Sequence, residues 1–132
     1  MTLHHYGFAT ANIQATADAY GNIGYERVTD IITDPIQNVK LLFLQRKGEP
    51  LVELVEPLSS ASPVSNIIQK NGPMLYHSCY EVSDIEEAIK DLRKKGFVVV
   101  VKPVPAVAFN NRPISFLYNK HIGLIELLQS ER

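Results

Sequence analysis

The chain has 132 residues, of which 45% are hydrophobic and 20% are charged, so it is long and apolar enough to form one soluble globular domain. Its net charge of −1 offers no basic surface for nucleic acid, and no apolar run approaches the roughly 20 residues that cross a bilayer. The single cysteine, Cys79, cannot form an internal disulfide, and the N-terminus lacks the basic and apolar segments of a signal peptide. We therefore expect a cytoplasmic protein with no nucleic-acid partner and no membrane partner.

The first half of the chain predicts a strand, a helix and three further strands. The helix begins after the N-cap residue Asn12, carries apolar side chains at helical spacing and ends by Gly21 and Gly24. Apolar or β-branched segments separated by polar turns predict strands over 3–9, 25–33, 39–45 and 51–56. A short connector helix follows, because Ser62 and Pro63 are typical of a helix start.

The second half predicts the same order of elements. Either Ser83 or Asp84 caps a helix with an apolar inner face, and Gly96 follows its last turn. Strands are predicted over 75–82, 97–102, 114–118 and 123–128. The segment 97–102 is rich in valine, which indicates a central strand that is covered on both faces. Residues 103–113 are predicted to form a proline-containing loop and residues 130–132 a frayed tail.

The two halves are copies of one unit. Residues 76–85 match 4–13 at a separation of 72 positions, and residues 116–127 match 43–54 at a separation of 73. Such internal similarity predicts repeated structural units. We therefore predict one domain over 1–132, with module 1 at 1–58, a connector helix at 59–73 and module 2 at 74–130.

Each copy carries one histidine in its first strand and one glutamate in its last. These are His5 and Glu53 in module 1, and His77 and Glu126 in module 2. Each glutamate lies within an apolar run, where burying a lone carboxylate costs several kcal/mol unless another group compensates its charge. A divalent cation balances two carboxylates, and two neutral imidazoles supply suitable nitrogen ligands. The repeat therefore predicts one metal site shared by the four residues.

Several segments resemble the vicinal oxygen chelate superfamily, which includes glyoxalase I, methylmalonyl-CoA epimerase, extradiol dioxygenases, and the fosfomycin and bleomycin resistance proteins. The resemblance covers nearly the whole chain and is greatest to the epimerase branch. The segments that carry it are 36–44, 52–58, 62–64, 76–85 and 123–127.

The resemblance implies an α+β fold in which two tandem βαβββ modules form an open mixed β-barrel or cleft. It also implies that His5, Glu53, His77 and Glu126 bind one divalent metal ion, with Co, Ni, Mn, Zn and Fe(II) all compatible with such ligands. No organic cofactor is implied. Family members commonly dimerise, so a homodimer is expected.

By the same resemblance, the leading function is a metal-dependent epimerase that abstracts a proton α to a carbonyl or thioester through a stabilised enolate. Glu126 is the expected base. One bacterial member has a second acid or base where this chain has Leu41, so Glu53 is expected to serve instead. The substrate is an acyl-CoA in this reading. The alternatives are a lyase of the glyoxalase I type, acting on glutathione or another thiol adduct, and a non-catalytic binding or resistance protein. An extradiol dioxygenase ranks last.

Overall fold

The computed structural model describes residues 1–131, and over this range the chain forms nine strands, three α-helices and one short 3-10 turn. The strands are β1 (Thr2–Ala9), β2 (Glu26–Arg27), β3 (Ile32–Asp34), β4 (Val39–Gln45), β5 (Leu51–Pro57), β6 (Met74–Val82), β7 (Val98–Ala106), β8 (Arg112–Asn119) and β9 (Gly123–Gln129). The helices are α1 (Ile13–Gly21), α2 (Pro63–Asn71) and α3 (Ile85–Lys94), and the 3-10 turn is Val107–Phe109. These elements form an open, mixed nine-stranded sheet with helices, which confirms the predicted α+β class. Within residues 1–131, no helix is both long and apolar enough to cross a membrane.

Residues 5–76 form the first of two compact units. Its strands are ordered β2-β4-β5-β1, and β3 also pairs with β4. β1 and β5 run parallel, whereas β4 is antiparallel to β5, β2 and β3. α1 packs on one face of this sheet around a buried apolar cluster, which consists of Ile13, Ala17, Leu42, Leu44, Val52 and Leu54.

The second compact unit combines residues 1–4 with residues 77–131 and repeats this arrangement. Its strands are ordered β6-β9-β8-β7, with β6 and β9 parallel and the remaining pairs antiparallel. α3 packs on one face over a second buried apolar cluster, formed by Val82, Ile85, Ile89, Leu117, Ile125 and Leu127.

The predicted helix starts are confirmed by side-chain caps. Asn12, Ser62 and Asp84 each accept a hydrogen bond from a backbone N–H in the first turn of α1, α2 and α3 respectively. For α3 the sequence allowed either Ser83 or Asp84, and the structure selects Asp84. Such caps satisfy backbone donors that have no partner inside the helix.

A second repeated contact fixes where α1 and α3 begin. The Glu56 carboxylate at the end of β5 accepts a hydrogen bond from the N–H of Ile13, at 2.8 Å. The Gln129 side-chain oxygen at the end of β9 accepts the equivalent bond from the N–H of Ile85, at 2.9 Å. Glu56 and Gln129 lie 73 positions apart, so the repeat extends to this contact although the two residues differ.

The prediction of one strand over 25–33 is wrong. The segment forms two short strands, β2 and β3, and both pair with β4. Between them the hydroxyl of Thr29 accepts the hydrogen bond from the N–H of Phe43, at 3.1 Å. A side chain thus replaces a backbone acceptor in the ladder, and this interrupts the strand.

The prediction of a central strand over 97–102 is also wrong. β7 lies at the end of the strand order, where it pairs only with β8 among the described strands. Val98 and Val100 are 62% and 57% exposed, whereas Val99 between them packs against the buried apolar cluster under α3, which we call the helix-side cluster. A run of valines is compatible with a buried strand and with an edge strand, and only the sheet order distinguishes them.

The predicted loop over 103–113 is shorter than expected. β7 continues to Ala106 and β8 already begins at Arg112, so Pro105 and Pro113 lie opposite each other in the β7–β8 ladder. Proline lacks an N–H, so Pro105 is tolerated because β7 is an edge strand, and Pro113 is tolerated because it precedes Ile114, where the β8–β9 ladder begins. In the predicted tail, residues 130 and 131 have no regular structure, and residue 132 lies outside the described range.

Gly96 provides a test of the local backbone after α3. Its φ of +95° matches the +98° of Gly24, which lies 72 positions earlier. We expect Gly96→Ala to lower the free energy of unfolding by about 1 kcal/mol, because a Cβ strains this left-handed conformation. Gly21→Ala is the matched control: Gly21 ends α1 with open space around its Cβ position, so alanine should be neutral or slightly stabilising. Urea denaturation measures the free energy of unfolding of both variants. Equal effects of the two substitutions would contradict the left-handed backbone conformation of Gly96.

Candidate metal centre

In the first unit, His5 and Glu53 lie on the neighbouring parallel strands β1 and β5. Nε2 of His5 is 3.5 Å from Oε1 of Glu53, and both side chains are buried. Phe43, which is the register partner of Glu53 on β4, contacts the His5 ring edge to face with centroids 5.8 Å apart. The imidazole is therefore held between a carboxylate and an aromatic ring.

The second unit repeats this arrangement with His77 and Glu126. Nε2 of His77 is 3.1 Å from Oε1 of Glu126, and both side chains are buried. Phe116 is the register partner of Glu126 on β8, and its ring lies edge to face with His77 at 5.2 Å. Cys79, two residues after His77, is fully buried.

Strand alternation explains why a glutamate lies inside each apolar run. Ile125 and Leu127 both belong to the helix-side cluster, so Glu126 between them points to the opposite face of the sheet. Val52 and Leu54 flank Glu53 in the same way and belong to the first cluster. The apolar neighbours thus fix the strand against its helix, and the carboxylate is directed to the face that carries the histidine.

The four predicted residues form a buried group whose composition suits a metal ion. Each of His5, Glu53, His77 and Glu126 offers one ligand atom, and these atoms all lie within 4.8 Å of one another. Two carboxylates and two imidazoles match the charge and the mixed N/O preference of a divalent transition metal. Without a cation, two buried carboxylates in such proximity would be strongly unfavourable. This buried His/Glu cluster fits a divalent metal site.

The position of the missing second acid and two basic residues contribute to the fold. Leu41 is buried on β4, so the position of the missing second acid is apolar. Lys40, its neighbour, forms an ion pair with Glu56 at 3.1 Å. Arg112 donates hydrogen bonds to the Glu81 carboxylate and to backbone carbonyls, which ties β8 to β6 and to the end of β9. Lys40 and Arg112 therefore make contacts that stabilise the fold.

Comparison with known proteins agrees with this geometry. Residues 4–116 match the model of the Glyoxalase/Bleomycin resistance protein/Dioxygenase superfamily. The mitochondrial methylmalonyl-CoA epimerase of Homo sapiens is 31% identical over 131 residues, which cover 97% of this chain and 73% of the relative. An ethylmalonyl-CoA/methylmalonyl-CoA epimerase of Cereibacter sphaeroides is 30% identical over 130 residues, covering 96% of each chain.

A solved structure supports the same relationship. A methylmalonyl-CoA epimerase variant from Streptomyces coelicolor, in complex with 2-nitronate-propionyl-CoA, superimposes with a TM-score of 0.85 at 26% identity. The match covers 100% of this chain and 99% of the other. The resemblance noted in the sequence is thereby confirmed. This chain belongs to the glyoxalase/bleomycin resistance protein/dioxygenase superfamily, with methylmalonyl-CoA epimerases among its relatives.

Proposed function

We propose that this chain is a divalent-metal-dependent epimerase that inverts the carbon α to the thioester carbonyl of a small carboxyacyl-CoA such as methylmalonyl-CoA. The observation that carries the proposal is the buried group of two histidines and two glutamates, with ligand atoms within 4.8 Å of one another. The similarity of the chain to epimerases over almost its whole length supports the reaction class. The solved complex with an acyl-CoA analogue supports the substrate class.

In this proposal His5, Glu53, His77 and Glu126 would hold one divalent ion, and Co, Ni, Mn, Zn and Fe(II) are all compatible with the donor set. An ion held there supplies positive charge beside the carbonyl oxygen, which makes the α-proton more acidic. Phe43 and Phe116 restrict the orientations of the two imidazole rings through edge-to-face contacts. Ligand geometry is thus maintained by packing as well as by the strands.

Glu126 is the proposed base for the α-proton. It is only 3% exposed, so no bulk water competes for its carboxylate, and the nearby His77 nitrogen restricts its orientation. Inversion through two bases needs a second acid or base, which we assign to Glu53. The buried, apolar Leu41 cannot transfer a proton, and this favours Glu53 for that role.

We also propose that residues 1–132 form one domain, with module 1 at 1–58, the connector helix at 59–73 and module 2 at 74–130. The matching strand orders β2-β4-β5-β1 and β6-β9-β8-β7 support the two-module description. A homodimer remains a prediction from the family.

Solvent deuterium exchange tests the proposed reaction directly. Metal-replete protein incubated with one epimer of methylmalonyl-CoA in D₂O should incorporate deuterium at the α-carbon and produce the other epimer. Mass spectrometry measures the exchange, and a chiral coupled assay measures the inversion. Absence of exchange by protein shown to contain metal would refute the proposal. Turnover of methylglyoxal with a thiol, in the absence of exchange, would instead indicate a lyase of the glyoxalase I type.

A further inference from the structure

The edge of the sheet in the first unit has two more residues than the strand that it faces. Arg27 on β2 and Ile32 on β3 both pair with β4. Between these two pairs, the four residues 28–31 lie opposite only Leu42 and Phe43. Extra residues of this kind form bulges, which occur often beside functional sites and change the direction of a nearby side chain.

The second unit has the same irregularity at the equivalent place. Between the pairs that Val99 and Val104 make with β8, the four residues 100–103 lie opposite only Ser115 and Phe116. The positions on β7 lie 72 residues, and those on β8 73 residues, after their counterparts in the first unit. Each unit therefore has its extra residues opposite the phenylalanine whose ring contacts the histidine.

The irregular edge segment holds the backbone of Phe43 in the first unit. The carbonyl of Phe43 accepts a hydrogen bond from the N–H of Val28 at 3.0 Å, and its N–H donates to the hydroxyl of Thr29 at 3.1 Å. Both groups thus point towards the edge of the sheet, so the pair of Phe43 with Glu53 on β5 is of the non-hydrogen-bonded type. Side chains in such a pair lie closer together, which favours contact between the Phe43 ring and the metal centre.

The contact from Thr29 is the one that a side chain provides. Without the hydroxyl, the N–H of Phe43 would lose this acceptor, and Phe43 is only 3% exposed, so its backbone would have to shift to find another. Residues 28–31 line an open cavity of about 670 Å³ together with Gln14, Arg27 and Leu42. This cavity leaves the edge segment room to move away from β4 once the bond is lost.

Ser115 provides the corresponding side-chain bond in the second unit. It is fully buried, and its hydroxyl donates a hydrogen bond to the carbonyl of Val101 at 2.7 Å. Val101 is the register partner of Phe116, the residue that follows Ser115. A hydroxyl therefore joins the irregular edge to the strand in both units, as an acceptor in the first and as a donor in the second.

We propose that Thr29 and Ser115 are positioning residues of the metal centre, which hold the two phenylalanines and, through their rings, the orientations of the two histidines. The inference rests on the proposed function, because it takes His5 and His77 as metal ligands. The direction of an imidazole nitrogen depends on the orientation of its ring, and groups that orient a metal ligand commonly contribute 10- to 100-fold to metal affinity. Loss of either hydroxyl should therefore weaken metal binding as well as the fold.

Competition with a chelator measures the Kd of the whole chain for Co²⁺ and tests the role of Thr29. Thr29→Val keeps the shape of the side chain but cannot accept the N–H of Phe43, so it should raise this Kd about tenfold. Thr29→Ser retains the hydroxyl and should restore the wild-type Kd. Thr10→Val is the matched control, because the Thr10 hydroxyl accepts a backbone N–H, that of Asn12 at 3.0 Å, beside the start of α1. It should lower stability and leave the Kd unchanged.

Ser115→Ala makes the same test in the second unit and should also raise the Kd for Co²⁺. Its matched control is Ser65→Ala, because the Ser65 hydroxyl in α2 likewise donates to a backbone carbonyl, that of Ser59 at 2.9 Å. The visible absorption of bound Co²⁺ provides a second measurement, since it depends on ligand geometry. The spectrum should change in Thr29→Val and Ser115→Ala and should match the wild type in both controls.

An unchanged Kd in folded Thr29→Val or Ser115→Ala would overturn the inference, because it would show that the hydroxyl stabilises only the fold. An equal rise of the Kd in the controls would overturn it too, since general destabilisation would then explain the effect. If Thr29→Val does not fold, the comparison of Ser115→Ala with Ser65→Ala decides the question.

These measurements need no turnover, so they separate the inference from the proposed reaction. Wild-type protein that lacks epimerase activity but shows the expected differences in Co²⁺ binding would refute the reaction and support the positioning roles. Wild-type protein that binds no Co²⁺ would overturn both.

Discussion

Glu126→Gln is expected to lower the rate of α-proton exchange in methylmalonyl-CoA by about 10³-fold, within the range that a positioned general base contributes. Glutamine keeps the size of the side chain and an oxygen that can face the metal, but it cannot accept the proton. Exchange in D₂O measures the effect, and elemental analysis of the purified variant shows how much metal is retained. A variant that keeps its metal and still exchanges at the wild-type rate would exclude Glu126 as the base.

Glu53→Gln separates the two proposed acid/base groups. If each glutamate serves one epimer, this variant should no longer invert the substrate but should still exchange the α-proton of the epimer that Glu126 deprotonates. Glu56→Gln is the matched control on the same strand, because Gln129 already makes the equivalent helix contact in the other half of the chain. It should keep both exchange and inversion. Unimpaired inversion by Glu53→Gln would show that the second acid or base lies elsewhere.

Removal of the metal should produce the largest change in stability. A ligand at 1,000 times its Kd stabilises the folded state by about 4 kcal/mol, which for a domain of this size raises Tm by about 15 °C. The effect should be large because, without a cation, Glu53 and Glu126 are buried carboxylates within the same small group. Differential scanning calorimetry of chelated protein, with and without added Zn²⁺, Co²⁺ or Ni²⁺, measures the shift.

Two histidine variants show whether that shift comes from the proposed site. His77→Ala should lose most of the metal-dependent increase in Tm, because it removes one of the two proposed nitrogen ligands. His121→Ala, at an exposed position in the turn between β8 and β9, should retain it. An undiminished increase in His77→Ala would mean that the metal stabilises the protein from another location.

Much of the fold followed from local sequence signals. The N-caps Asn12 and Ser62 each marked a helix start that the structure confirms. β4 covers the predicted residues 39–45, and β5 begins at the predicted residue and ends one residue later than expected. These predictions succeeded because caps, turns and alternating apolar residues act over a few positions along the chain.

Two of the errors concern contacts between segments that are separated in the sequence. The interruption between β2 and β3 depends on Thr29 bonding to Phe43, and no pattern within 25–33 indicates that contact. The edge position of β7 depends on which strand pairs with β8, and valine-rich runs occur in both settings. The contact from Glu56 to the start of α1 joins residues 43 positions apart and had no local signal, although the repeat would have suggested it once Gln129 was known.

The sequence by itself determined the repeat and, through it, the four residues that merit attention, because equal spacing of a histidine and a glutamate in two copies is visible without coordinates. Only the tertiary structure decided that the four side chains are buried within ligand distance. Burial and proximity are set by the pairing of strands that are far apart in the chain, and local patterns carry no record of that pairing.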